Sequence, residues 1–167
     1  MRLSALLLPV VLLLLPACFQ SGANLTESGK GKPVVSIAFP ETASAGSVER
    51  AAITIENPGP GDIDVLVVAF AAVGPMGGQR ELPVPLVGPG SRTSDEAVVA
   101  VDPEPRATSN DGAVYTFDGL EEGESMTIAF DITIPDIQGV AANSVQVYDG
   151  AEVDRAQGVR LETAVGR

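Results

Sequence analysis

The chain has 167 residues, 45% of them hydrophobic, and carries 22 acidic against 10 basic groups for a formal net charge of −12. It has no histidine and one cysteine, which removes Ser-His-Asp and cysteine hydrolases, His-bound zinc and any intramolecular disulfide. Such an acidic surface repels phosphate, so neither nucleic acid nor an anionic head-group layer is expected as a ligand.

The first seventeen residues, "MRLSALLLPVVLLLLPA", place one positive charge at Arg2 before an apolar run from Ala5 to Leu15 and end on the small residue Ala17. A basic start, a short hydrophobic middle and a small residue at the cut form a secretory signal. The run falls short of the roughly 20 residues that a helix needs to cross a bilayer. Leu15, Ala17 and Cys18 stand in the order of the bacterial lipoprotein signal, the lipobox, and this segment resembles it. The resemblance implies cleavage between Ala17 and Cys18 and acylation of Cys18. It places the mature chain on the cell membrane, lipid-anchored and facing the extracytoplasmic side. Several acyl chains hold a membrane stably where one holds it marginally. Removing Arg2 with the leader leaves nine basic and 22 acidic groups, a net of −13, so the lipid, and no basic patch, must be the anchor.

Residues 18 to 33 form the lipidated cysteine and a flexible linker. "FQSGANLTESGKGKP" is rich in Gly, Ser and small polar residues, and both lysines of the protein, Lys30 and Lys32, lie in it. Fifteen such residues reach roughly 20 Å.

From residue 34 to 167 the pattern has period two. The strands expected in chain order cover 34 to 39, 50 to 56, 62 to 70, 97 to 101, 113 to 117, 125 to 134, 143 to 148 and 159 to 165. The clearest is "ESMTIAFDITIP", where Met126, Ile128, Phe130, Ile132 and Ile134 alternate with Ser125, Thr127, Ala129, Asp131 and Thr133, the mark of a half-buried strand. No stretch after the linker has a helical period. About seven or eight short strands, thirteen prolines and few aromatic residues predict one all-β domain, an immunoglobulin-like sandwich.

One connection is longer than a sandwich needs. Residues 74 to 96 hold four prolines and five glycines, and a loop of this length is commonly functional or mobile. "ELPVPLV" within it reads as an extended edge segment, because proline is tolerated at an edge. Met76, Arg80, Leu82 and Leu86 are the residues expected to touch a partner if this is a binding loop.

Two stretches resemble a bacterial and archaeal surface module, the conserved-repeat family termed domain of unknown function 11. "GSVERAAITIENPGPGDIDVLVV" carries Gly46, Asn57, Gly59 and Val65, and "YTFDGLEEGESMTIAFDITIPDIQGVAANSVQVY" carries Leu120, Gly123, Glu124, Pro135, Gly139 and Asn143. Order and spacing agree from Gly46 to Val165. The resemblance implies an extracellular, non-catalytic immunoglobulin-like module.

No G-x-S-x-G, phosphate-binding loop or H-E-x-x-H occurs, so no enzyme activity and no cofactor are expected. The favoured role is binding or assembly at the cell envelope, with an envelope protein or wall component as partner. The alternative is a Ca²⁺-dependent structural or adhesive module using turn acids such as Asp62, Asp64, Asp118 and Glu121; solvated acids that keep the domain soluble are the plainer reading. Asn57 and Asn143 are expected to bond their own backbone at strand ends, and Gly59, Gly61, Gly119 and Gly123 to occupy turns.

Overall fold

A computed structural model of the protein describes residues 32–74, 82–92, 97–150 and 152–167. The signal segment, Cys18, most of the linker, Met76 and Arg80 lie outside these residues.

The described residues form ten strands: β1 (Val34–Ala38), β2 (Thr42–Ser44), β3 (Val48–Glu56), β4 (Ile63–Ala72), β5 (Val98–Asp102), β6 (Ala107–Thr108), β7 (Val114–Leu120), β8 (Ser125–Thr133), β9 (Gly139–Asp149) and β10 (Gln157–Gly166). One sheet has the order β1-β3-β8-β5 and the other β2-β10-β9-β4-β7-β6. All eight expected strands are present. The two additions, β2 and β6, are three and two residues long, too short to show a period. With β1, β3, β8 and β5 on one side and β4, β9 and β10 on the other, the domain is an immunoglobulin-like sandwich.

The alternating residues of the two sheets meet in the core. Ala51, Ile53 and Ile55 of β3 and Ile128, Phe130 and Ile132 of β8 are fully buried, and the nine-residue register from Val48↔Thr133 to Glu56↔Ser125 keeps them on one face. Opposite them lie Leu66, Val68 and Phe70 of β4, Tyr115 and Phe117 of β7, Val145 and Val147 of β9, and Leu161 of β10. Phe130 is the hub: its ring meets Phe70 at 5.1 Å, Tyr115 at 5.0 Å and Phe117 at 6.4 Å between centroids, each edge to face. That is the geometry the ring quadrupoles favour.

After β1 the chain passes Pro40 and changes sheets, and β2 pairs in parallel with β10 through Ala164↔Thr42 to Gly166↔Ser44. A proline cannot donate to a ladder, so it suits the point where pairing with β3 ends and pairing with β10 begins.

Gly119 corrects the expectation that it would be a turn residue. It sits inside β7, and a β-carbon there would lie 2.0 Å from the Ile63 carbonyl oxygen. Close approach of two backbones, not an unusual φ, demands the glycine. Gly59, Gly61 and Gly123 do hold positive φ, between 78° and 83°.

Candidate functional site

The described part of the long connection, residues 82–92, is anchored through the extended stretch around Val84. Val84 forms a parallel bridge with Ala141, its N–H bonding Val140 at 3.1 Å and its carbonyl accepting from Ala142 at 2.9 Å. This takes over the flank of β9 where pairing with β4 stops at Ala72↔Asn143. Asn143 then fastens the segment. Its Oδ1 accepts from the N–H groups of Leu86 and Val87, and its Nδ2 donates to the carbonyls of Ala71 and Val87.

Leu86 is therefore corrected as a partner-contact residue. It is buried completely and Val87 nearly so, both within the main core, because the Val84 bridge and the Asn143 clamp pull the chain under the sheet. Leu82, two residues before the bridge, is 59% exposed. Asn143 is corrected as well: its four bonds reach a loop 56 and 57 residues away and a strand 72 away, not its own backbone.

The turn acids have separate duties. Asp62 Oδ1 accepts from the Glu122 N–H at 2.9 Å, and Glu122 Oε2 accepts from the Gly61 N–H at 3.0 Å. Asn57 joins the same two turns: Oδ1 accepts from Gly59, as a local turn should, while Nδ2 donates to Gly61 and to Leu120 across the gap. The Glu121 N–H donates to Glu124 Oε2 at 2.9 Å, and Asp118 pairs with Arg106 at 3.2 Å. The Asp64 N–H lies 3.3 Å from Asp149 Oδ2. Among the described residues no three acids gather as a metal site. The Asp62, Glu122 and Glu124 carboxylates bond backbone N–H groups that the turns leave without ladder partners.

A concavity lies elsewhere. Between β5 of one sheet and β6 and β7 of the other opens a cleft of about 440 Å³, walled by Val98, Val99 and Val101, floored by Tyr115 and rimmed by Glu104 and Asp111. Period two places Tyr115 on the face of β7 that carries Phe117, so its ring points inward and is only 4% exposed. Burial pushes its phenol up to about 12, helped by the nearby charge of Asp111, so the hydroxyl stays protonated. The Ser109 hydroxyl, donating at 2.6 Å, and the Ala113 N–H hold the Asp111 carboxyl below its ordinary value. Asp111 is thereby fixed as an anion at the mouth of this cleft.

The inward parity of "AVYTF" was a readable signal for Tyr115. Its union with β5 was not, because that requires knowing which strands form the two sheet edges.

No protein-family model and no curated protein matches the chain. Among solved structures it is similar to the ASH/PapD-like domain 7 of human CEP192, with 14% identity, 99% of this chain and 94% of that one covered, and a TM-score of 0.39. It is also similar to BslA, described as a bacterial hydrophobin, with 9% identity, coverages of 80% and 98%, and a TM-score of 0.47. A third is the human F-spondin reeler domain, with 12% identity, coverages of 79% and 92%, and a TM-score of 0.43.

Proposed function

We propose that the protein is a bacterial lipoprotein, acylated at Cys18 and held by the linker at the outer side of a membrane, whose sandwich binds a protein of the cell envelope without catalysing a reaction. The observation that carries the binding role is the cleft beside β5: a sheet edge bordered by a slot in which Val98, Val101 and Tyr115 stand beside Glu104, Thr108 and Asp111. Clefts with apolar walls and a few placed polar groups are the usual form of a binding site. The anchor is supported by the sequence alone, with the one cysteine immediately after a leucine-rich run and none in the 149 residues that follow.

Two measurements test this. Wild type should incorporate labelled palmitate and partition into detergent, and Cys18→Ala should do neither; label retained by the variant refutes the anchor. Cross-linking in intact producing cells, followed by recovery of the protein, should return one reproducible envelope protein. Recovery with wall polysaccharide alone would assign the domain to wall adhesion instead.

A further inference from the structure

We infer that the outer edge of β5 and the cleft beside it form a strand-addition site for an extended, positively charged segment of the partner protein. This rests on the binding role proposed above and names its surface.

β5 pairs with β8 on one side through Val98↔Ile132 to Asp102↔Ala129, and among the described residues no strand pairs with its other side. An edge of this kind carries backbone donors and acceptors that an extended chain can bond. A strand added there would lie roughly 4.8 Å beyond β5, over the mouth of the cleft. Alternate side chains of that strand would point down toward Tyr115, whose ring rests on Phe130 and Phe70. Val98 and Val101 offer apolar contact to the inward residues of that strand. The phenol hydroxyl, kept neutral, adds one hydrogen-bonding group at the floor.

The other edges are less suited. β2 and β6 have three and two residues, and β1 packs against β10 of the opposite sheet. β5 itself is selective. Its register shifts between Val98 and Ala100, and Pro103 follows it at once, so pairing is confined to a few residues. Bulges and prolines of this kind deter indiscriminate edge pairing. The cleft must then supply the specificity that a short ladder cannot.

Charge decides the occupant. Glu104 and Asp111 line the cleft, while Arg106, two residues after Glu104, does not line it and pairs with Asp118. A segment with Lys or Arg flanking its apolar residues complements this rim, and an acidic one is repelled. The same repulsion disfavours a second copy of a mature chain whose net charge is −13.

The test is site-specific photo-cross-linking of the full-length acylated protein in producing cells, with benzoylphenylalanine replacing Val99 on β5, Val48 on β3 or Leu82, each more than half exposed. Val99 should capture one protein, through a peptide that alternates apolar residues and carries Lys or Arg. In that background Glu104→Lys should lower the yield at least about tenfold, by placing like charges together, and Glu104→Gln should lower it less. Glu104 is exposed, so both variants keep the fold, which circular dichroism verifies. Capture from Val48 or Leu82 but not Val99 would overturn the site and leave the binding role standing. Capture of a second copy at Val99, or an unchanged yield in Glu104→Lys, would overturn the cationic partner. No capture at any position would overturn both the site and the binding role.

Discussion

The side-chain amide of Asn143 and the backbone of Val87 bond each other in both directions. Oδ1 accepts from the Val87 N–H at 2.9 Å, and Nδ2 donates to the Val87 carbonyl at 3.0 Å. Two further bonds, to Leu86 and Ala71, use the remaining capacity of a side chain that is wholly buried. Asn143→Ala leaves the Leu86 and Val87 donors without this acceptor in the core, and each such group costs about 1–3 kcal/mol. The expected loss is about 3 kcal/mol in urea unfolding. Asn143→Asp should not rescue it, since a carboxylate can accept from Leu86 and Val87 but cannot donate to Ala71 and Val87. A loss under about 1 kcal/mol in Asn143→Ala would show that the clamp is dispensable.

Leu82 and Leu86 belong to the same seven-residue stretch and should behave oppositely. Leu86 has no exposed surface and lies among the core residues, whereas Leu82 is mostly in solvent. Removing a buried leucine side chain costs about 2–5 kcal/mol, and removing an exposed one about 0.5 kcal/mol or less. Leu86→Ala should therefore shift the urea midpoint well below wild type, and Leu82→Ala should leave it nearly in place. A deletion of residues 76 to 90 would remove Leu86 and Val87 from the core, so loss of binding in it would report unfolding.

These two leucines also mark the limit of what the sequence conveys. Where one strand carries a strict alternation, as from Met126 to Ile134 or from Ala51 to Ile55, the buried face can be read directly, because side chains on a strand alternate between its two faces. Around Leu86 the prolines at 83, 85 and 89 erase the period, and burial there depends on a bridge to Ala141 and a clamp from Asn143, both more than fifty residues distant. Gly119 is hidden for a related reason, since its need arises from the Ile63 carbonyl on a neighbouring strand. The cleft combines both difficulties. Tyr115 could be placed on the inward face by parity, but its neighbours on β5 are assigned by sheet order alone.

Thr163 is the one described buried side chain whose hydroxyl has no hydrogen-bond partner. It lies on β10 opposite Ala141 and is 1% exposed. Burying an unpaired hydroxyl costs about 1–3 kcal/mol by mutational measures, and valine has nearly the same shape. Thr163→Val should raise the unfolding midpoint, with a gain of about 1 kcal/mol. A loss instead would mean that the hydroxyl is bonded in solution, for instance by an enclosed water.

Arg50 and Asp131 face each other across β3 and β8 on the outer side of the smaller sheet, joined by two bonds of 2.7 and 2.9 Å. The hydrogen bond from Arg50, reinforced by its charge, holds the Asp131 carboxyl below its ordinary 3.8. A carboxyl whose folded value is depressed stabilises the fold above its unfolded value, and the contribution is lost as pH falls below 3.8 and through the folded value. Wild type should exceed Asp131→Asn in thermal midpoint near neutral pH, and the gap should close well below pH 3.8. The gap should also narrow in high salt, because Arg50 is largely exposed and surface pairs are screened. A gap independent of pH would show that packing of the side chain, not its charge, is responsible.

The same reasoning separates the acidic turns from a calcium site. Asp62 and Glu122 exchange bonds with opposite turns, Glu124 accepts from Glu121, and Asp118 faces Arg106, so an ion would have to displace these partners and draw together oxygens that do not converge. Ca²⁺ commonly takes six to eight oxygen ligands. The thermal midpoint of the mature domain is therefore expected to be equal in EDTA and in millimolar CaCl₂. A ligand that binds only the folded state, at a hundred times its dissociation constant, stabilises by about 2.7 kcal/mol, which moves the midpoint by several degrees in a domain of this size. A rise of that order in CaCl₂, reversed by EDTA, would mean that the turns rearrange to bind the ion, and the displaced Asp118 to Arg106 pair would be the first place to look.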